Sequence, residues 1–135
     1  MMSKNFHVAK DYIYSLRYHL VWRPRFNIDV LKNGKNIIEK TLKGVCRQYG
    51  YEVLYVDIKQ DYIHLFLSTG PTVAPADAVR VLKSVTAAFL LKYFPQLKVF
   101  YGLYGSLWEK DCLLSTTFQL ETETIRKYTT QKKGR

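Results

Sequence analysis

The residue best placed for chemistry is a histidine in the middle of an apolar run. From Asp61 to Leu67 residue types alternate, so Tyr62, His64 and Phe66 share one face of a predicted strand and apolar residues share the other. Predicted helices should cover the apolar face, which leaves His64 on the open face, where an imidazole can bind a metal ion or a phosphate. A second interpretation stays open, because a lone strand histidine is often structural or solvated.

The cysteines do not form a recognisable site. Cys46 and Cys112 are the only two in the chain, too few and too isolated for a disulfide framework or a thiolate metal centre. Cys46 lies on an apolar helical stripe and is predicted to be a buried thiol. Cys112 is also interpreted as a core thiol.

Composition and charge narrow the classes of function. The 135 residues are 47% hydrophobic and fit one folded domain rather than a disordered polymer. Lys and Arg number 21 against 11 Asp and Glu, a net charge of +10 that favours a polyanionic partner. The sequence has no apolar run of the roughly 20 residues that a bilayer requires and no signal-peptide pattern over 1–10. A cytoplasmic, intracellular protein is therefore expected.

Strand and helix patterns alternate along the chain. Period-2 alternation and β-rich runs predict strands over 11–22, 51–58, 62–68 and 98–108. Helical spacing of apolar residues predicts one helix over 35–49, stopped by Gly50, and another over 76–94, ended by Pro95. The segment 109–117 is ambiguous, with a short strand as one interpretation. Residues 120–133 form a predicted last helix, acidic at its start and basic at its end.

The order of these elements indicates the fold. A β-α-β-β-α-β succession is that of the split βαβ or ferredoxin-like unit. The predicted class is α+β, with an antiparallel sheet, two helices on one of its faces and an added C-terminal helix. One domain spans 1–135, with the ferredoxin-like core over about 11–117 and the last helix over about 119–133.

Several sequence blocks, in their order, resemble the signature of one protein family. They are Tyr18 to Arg25 (YHLVWRPR), Asp61 to Leu65 (DYIHL), Phe94 to Leu97 (FPQL), Leu107-Trp108 and Ile125 to Tyr128 (IRKY). On these blocks the chain resembles the single-tyrosine HUH transposases of the insertion sequence 200/605 group. The resemblance extends over about residues 10–132.

The resemblance implies a reaction and the residues for it. In this family, two histidines flanking an apolar residue and a polar side chain of the last helix hold a divalent metal, and a tyrosine of that helix attacks DNA. Tyr128 matches the catalytic tyrosine, His64 matches the second histidine, and Gln131 is the amide nearest to the helix ligand position. The implied function is a homodimeric transposase that binds hairpin or single-stranded DNA ends. It would cleave and rejoin them through a 5′-phosphotyrosine with Mg²⁺ or Mn²⁺.

Basic residues supply candidate contacts for this DNA. They lie around the first strand, on the second helix and on the last helix. The candidates are Arg17, His19, Arg23, Arg25, Lys83, Arg126, Lys127 and Lys132. Each of these residues taken singly also fits a solvated surface, and it is their combined positive charge that favours DNA as the partner.

Three features depart from the family pattern. Tyr62 occupies the place of the first HUH histidine, and a phenol with a pKa near 10 is a poorer ligand than an imidazole. Lys132 occupies the helix ligand position, and Phe118-Gln119 replaces a glycine pair before the last helix.

Because of these departures, the alternative function is a catalytically inactive, transposase-derived DNA-binding protein. A covalent bond between Tyr128 and DNA would distinguish the two. A third class, RNA-binding ferredoxin-like domains, is disfavoured because their spacing of strand aromatics is absent.

Overall fold

A computed structural model gives the fold. It describes residues 6–25, 30–116 and 121–133, and their side chains except those at 30, 100, 104 and 131–133. The described elements in chain order are strands β1 (His7–Val8), β2 (Ile13–Tyr14) and β3 (Arg17–Trp22), helix α1 (Val30–Tyr49), strands β4 (Glu52–Ile58) and β5 (Ile63–Ser68), helices α2 (Pro75–Tyr93) and α3 (Leu97–Tyr104), strand β6 (Leu113–Ser115) and helix α4 (Thr122–Lys133). Among these helices, none combines the length and apolar character needed to cross a membrane.

The main sheet has four strands in the order β4-β5-β3-β6. β5 pairs antiparallel with both β3 and β4, and β6 pairs antiparallel with β3. β3 and β4 therefore run parallel, with β5 between them and α1 as their crossover, which is the split βαβ arrangement. The predicted α+β, ferredoxin-like class is confirmed, and α4 is the additional C-terminal helix.

Local signals in the sequence set the ends of the two long helices. α1 stops at Tyr49 because Gly50 takes a φ of 77°, a left-handed conformation that costs glycine little. α2 starts with Pro75 in its first turn, where no backbone N–H donor is needed. It ends at Tyr93, two residues before Pro95. Glycine and proline thus limit both helices as predicted, although α1 starts at Val30, five residues earlier than expected.

Both long helices cover the same face of the main sheet. Leu20 of β3 and Leu65 of β5 are almost inaccessible to solvent and form one cluster with Ile38 of α1 and Leu82 of α2. Alternate residues of the two central strands therefore point into this core. The residues between them point to the other side of the sheet.

The predicted strand over 98–108 is wrong, because that segment contains helix α3. The segment is apolar at most positions, so its pattern does not separate a helix from a strand. Gly105, with a φ of 75°, ends the helix. The fourth strand of the sheet is β6, which lies in the ambiguous segment 109–117.

The predicted strand over 11–22 is interrupted. Ile13–Tyr14 forms β2 and pairs with β1 in a separate two-stranded sheet, and β3 begins only at Arg17. Residue types keep alternating through the break, so the sequence pattern does not reveal it. Phe118-Gln119 lies outside the described residues.

Two glycines of α1 give a matched test of the packing between α1 and α2. A Cβ added at Gly34 would lie 2.8 Å from Cδ2 of the buried Leu90, whereas a Cβ at Gly44 would meet nothing within 4 Å. We expect Gly34→Ala to lower the free energy of unfolding by about 1 kcal/mol or more through overpacking. Gly44→Ala should raise it by about 0.5–1 kcal/mol through helix propensity. Urea denaturation measures both, and equal stabilisation by the two variants would contradict this helix contact.

Candidate active site on the second face of the sheet

The sheet face opposite the core carries the predicted site residues of the central strands. Val21 of β3 pairs with His64 of β5, and His19 pairs with Phe66, so these four side chains share one face. The Arg17 guanidinium lies 6.0 Å from the centre of the Phe66 ring on the same face. We call Arg17, His19, Val21, His64 and Phe66 the second face.

His64 is paired with another histidine. Its Nε2 lies 2.9 Å from Nδ1 of His19, so one ring donates an N–H and the other accepts it. The ring centres are 5.1 Å apart, close to the distance expected for nitrogens that face one another head-on. Burial, followed by the nearby His19, lowers the pKa of His64 from 6.5 to about 4. The His64 ring is therefore neutral at physiological pH.

The pairing of His64 could not be read from the sequence. His19 appeared there as a DNA contact, and the pattern placed it on the face opposite Tyr18. The two histidines are 45 positions apart in sequence. Only the register between β3 and β5 brings them together.

Tyr62 precedes β5 and is half-buried. Burial, followed by the Asp57 carboxylate, raises the pKa of its phenol above 10. The neutral hydroxyl is a weak donor for a divalent cation at neutral pH.

The described side chains fit a divalent metal only in part. No group of three or more His, Cys, Asp or Glu side chains among them could hold a metal ion. The neutral imidazole of His64 is a suitable ligand, but its Nε2 faces His19. Gln131 and Lys132 belong to α4, and their side chains lie outside the described ones.

Tyr128 lies on α4 with its hydroxyl held by a carboxylate. The hydroxyl donates a 2.6 Å hydrogen bond to Oδ1 of Asp111, and the Arg23 guanidinium lies 5.8 Å from the centre of the tyrosine ring. Burial, followed by this hydrogen bond to Asp111, raises the pKa of Tyr128 far above its usual value, whereas Arg23 opposes the shift. Tyr128 is thus a neutral phenol with an anionic acceptor.

The segment that carries Asp111 is anchored to two other elements. The Glu109 carboxylate lies 3.7 Å from the guanidinium of Arg23, and the Glu109 N–H donates to the Arg23 carbonyl at 3.0 Å. The ammonium of Lys83 on α2 donates to the carbonyls of Glu109 at 2.7 Å and of Asp111 at 3.2 Å. We call Arg23, Lys83, Glu109, Asp111 and Tyr128 the tyrosine cluster.

The second face and the tyrosine cluster are connected through the chain at the end of β3. Val21, the pairing partner of His64, lies two residues before Arg23, whose guanidinium covers the ring of Tyr128. The sequence did not indicate Asp111 or Glu109 as functional residues. No motif marks them, because their roles depend on contacts with residues far away in the chain.

The remaining predicted DNA contacts differ in their surroundings. Arg126 and Lys127 are exposed on α4, while Arg25 is partly buried beside the end of β3. Arg23 is only 5% exposed, and the half-buried Lys83 is occupied by two carbonyls, so both have structural contacts that the sequence did not predict. Lys132 is not among the described side chains.

Both cysteines are free thiols that pack against the core. Cys46 is buried and Cys112 is partly buried. Burial raises the pKa of each to about 11, so both stay protonated and unreactive at neutral pH.

The neutral state of His64 makes stability depend on pH. Its pKa is about 4 in the folded chain against 6.5 in the unfolded chain, so the unfolded chain binds an extra proton as pH falls below 6.5. The contribution of His64 is therefore complete above pH 6.5 and is lost on acidification towards pH 4. We expect about 2 kcal/mol of unfolding free energy to be lost between roughly pH 7.5 and 5 through this group. Urea denaturation at both pH values should show a smaller loss in His64→Gln, and an equal loss would contradict the assignment.

Comparison with known proteins gives consistent matches over nearly the whole chain. The family model described as "Transposase IS200 like" matches residues 12–132. The ISDra2 transposase TnpA of Deinococcus radiodurans is 31% identical over 122 residues, covering 89% of this chain and 86% of that protein.

Solved structures share the fold. A crystal structure of a protein assigned as a transposase from Deinococcus radiodurans R1 superposes with a TM-score of 0.83 at 28% identity, covering 93% of this chain and 96% of that one. A REP-associated tyrosine transposase, solved bound to a REP hairpin, has a TM-score of 0.56 at 13% identity, covering 95% and 68%. The family match and the curated relative together show that this chain belongs to the IS200-like transposase family.

Proposed function

We propose that the protein transposes a small insertion sequence by cleaving and rejoining DNA at its ends through Tyr128. The observation that carries this proposal is the tyrosine cluster, in which the Tyr128 hydroxyl donates to the Asp111 carboxylate and the Arg23 guanidinium lies over the tyrosine ring. Membership of the IS200-like family supports it, and the resembling transposase bound to a hairpin supports hairpin or single-stranded ends as substrate.

The chemistry follows from the residues of the cluster. The Tyr128 oxygen attacks a phosphodiester, a 5′-phosphotyrosine forms, and the 3′ oxygen of the neighbouring nucleotide leaves. Because the phosphotyrosine keeps the bond energy, a 3′-hydroxyl can later reverse the step and rejoin the strand. Arg23 can stabilise developing negative charge, since its buried Nε has no hydrogen-bond partner among the described residues.

A divalent cation, when bound, would polarise the phosphate and stabilise the charge of the transition state. His64 is the residue we propose to hold it, together with Gln131, the amide three residues after Tyr128 in the sequence. No step here depends on the geometry of that ion.

The DNA is proposed to lie across the basic surface around the second face and α4. Arg126 and Lys127 are exposed there, and Arg17 and Arg25 line the β3 side. The excess of 10 positive charges favours binding to phosphates at low salt. The family resemblance also implies a homodimer, which we propose as the assembly that binds two element ends.

A second candidate is a DNA-binding protein that has lost strand transfer. Two observations favour it: Tyr62 stands in the place of a histidine ligand, and Nε2 of His64 is already hydrogen-bonded to His19. Such a protein would bind the same strands without forming a covalent bond.

A denaturing gel for protein–DNA adducts tests which candidate is right. Labelled single strands from the DNA that flanks the gene are incubated with Mn²⁺ and the protein. We expect a slowly migrating adduct that disappears in Tyr128→Phe, because only that phenol lies in the cluster. Tyr93→Phe, at an exposed tyrosine of α2, is the matched control and should keep the adduct. Tight binding of the strands without an adduct would favour the second candidate.

Calorimetric titration with Mn²⁺ tests the proposed ligand position. Tyr62→His should increase the affinity for Mn²⁺ by about tenfold or more, because it adds an imidazole where the family has one. His64→Ala should abolish the heat of binding in both backgrounds. Tyr49→His, at an exposed tyrosine at the end of α1, controls for an added surface histidine. Equal affinities of Tyr62→His and the unmodified protein would contradict this role of position 62.

A further inference from the structure

We propose that Asp111 is the general base that accepts the proton of Tyr128 during strand cleavage. This inference rests on the proposed function, because it assigns a second residue to the same reaction. It adds a residue that no motif of the sequence indicates.

The first argument is the contact itself. The Tyr128 hydroxyl donates to Oδ1 of Asp111 at 2.6 Å, the length of a charge-assisted O–H···O⁻ bond. A general base must lie within hydrogen-bond distance of the proton that it removes, and Asp111 does so before any substrate is present.

The second argument is that Asp111 is held in place by other elements. Lys83 of α2 binds the Asp111 carbonyl, and Arg23 binds Glu109 two residues earlier. The N–H of Arg25 also donates to the Leu107 carbonyl at 2.8 Å, so the segment is fixed to the end of β3 at residues 107 and 109 and to α2 at residues 109 and 111. Such support keeps a catalytic carboxylate in a defined position.

The third argument comes from the charges around Tyr128. The groups that face Tyr128 are Arg23 from the end of β3, and Asp111 and Cys112 from the segment before β6. Glu109 pairs with Arg23, and Lys83 binds the Asp111 carbonyl. The carboxylate and burial keep the phenol protonated at rest, so little phenolate forms without transfer of its proton to a base. The Arg23 guanidinium lies where it can stabilise the anion as the proton moves.

The proposed step is balanced. The proton of the Tyr128 hydroxyl moves to a carboxylate oxygen of Asp111 while the tyrosine oxygen forms its bond to phosphorus. The bond between phosphorus and the 3′ oxygen breaks, and its electron pair leaves with that oxygen. The oxygen then takes a proton from the Asp111 carboxylic acid, which returns Asp111 to its starting state. Rejoining runs through the same transfers in reverse.

The experiment compares the pH dependence of adduct formation in the unmodified protein and in Asp111→Asn. Asn keeps the size and an oxygen acceptor but cannot accept the proton. We expect about a hundredfold or greater loss of rate at neutral pH, the usual range for removal of a general base. The loss should shrink as pH rises, because the phenol then ionises without help. Asp77→Asn, at an exposed carboxylate of α2 paired with Arg80, is the matched control and should behave like the unmodified protein.

A second measurement reports on the contact independently of DNA. Phenol absorbance is titrated for the unmodified protein and for Asp111→Asn, and the signal of Tyr128 is obtained by subtracting the matching Tyr128→Phe proteins. Removing the carboxylate should move the ionisation of Tyr128 to lower pH, and an unchanged titration would overturn the contact on which the proposal depends. Melting curves confirm that both variants are folded.

The outcomes separate the two proposals. An Asp111→Asn protein that forms the adduct as fast as the unmodified protein at every pH would overturn the role of Asp111 and leave the proposed function intact. Faster adduct formation by Asp111→Asn would also overturn the role of Asp111 as a base, because the hydrogen bond from Tyr128 to Asp111 would then hold the tyrosine back. If the unmodified protein forms no adduct, the proposed function fails, and the role of Asp111 fails with it.

Discussion

The pairing of β3 with β5 is the constraint on which the rest of the structure depends. Both strands lie in the middle of the sheet, and each sends alternate side chains to opposite faces. The register that buries Leu20 against the helices also places His64 beside Val21 and within reach of His19. A slip of β5 by one residue would send His64 into the core and Leu65 out of it, so the core and the site are set by the same register.

Helix α2 contacts the tyrosine cluster through the short segment of residues 109–111. Lys83 lies on α2, a helix whose Leu82 is fully buried, and its ammonium binds the backbone on both sides of residue 110. Burial lowers the pKa of Lys83, and the carbonyls replace part of the water that the ammonium loses. The position of Asp111 is therefore coupled to the packing of α2, because a shift of that helix would move the carboxylate that holds Tyr128.

Sequence patterns predicted what depends on local order and missed what depends on register. Gly50 and Pro95 mark helix ends by their own backbone properties, and period-2 alternation placed His64 on the face away from the helices. That face is not open at His64, because its side chain is buried. The same reasoning made a strand of the segment that forms α3, since an apolar run has no period that distinguishes the two. Asp111 could not be found at all, because its role depends on a contact with Tyr128, 17 residues later.

The two halves of the candidate site differ in how completely they are built. In the tyrosine cluster the proposed nucleophile, Tyr128, is hydrogen-bonded to the Asp111 carboxylate and has the Arg23 guanidinium over its ring, and the segment that carries Asp111 is anchored to α2 and to the end of β3. At His64 the Nε2 atom is hydrogen-bonded to His19, and the phenol of Tyr62 two residues earlier is neutral. The departures at Tyr62 and Lys132 fall at proposed ligand positions of the cation and not at Tyr128, Asp111 or Arg23. In the proposed mechanism, a loss of activity would therefore come from weaker stabilisation of charge on the phosphate, and the proposed path of the tyrosine proton from Tyr128 to Asp111 would remain in place.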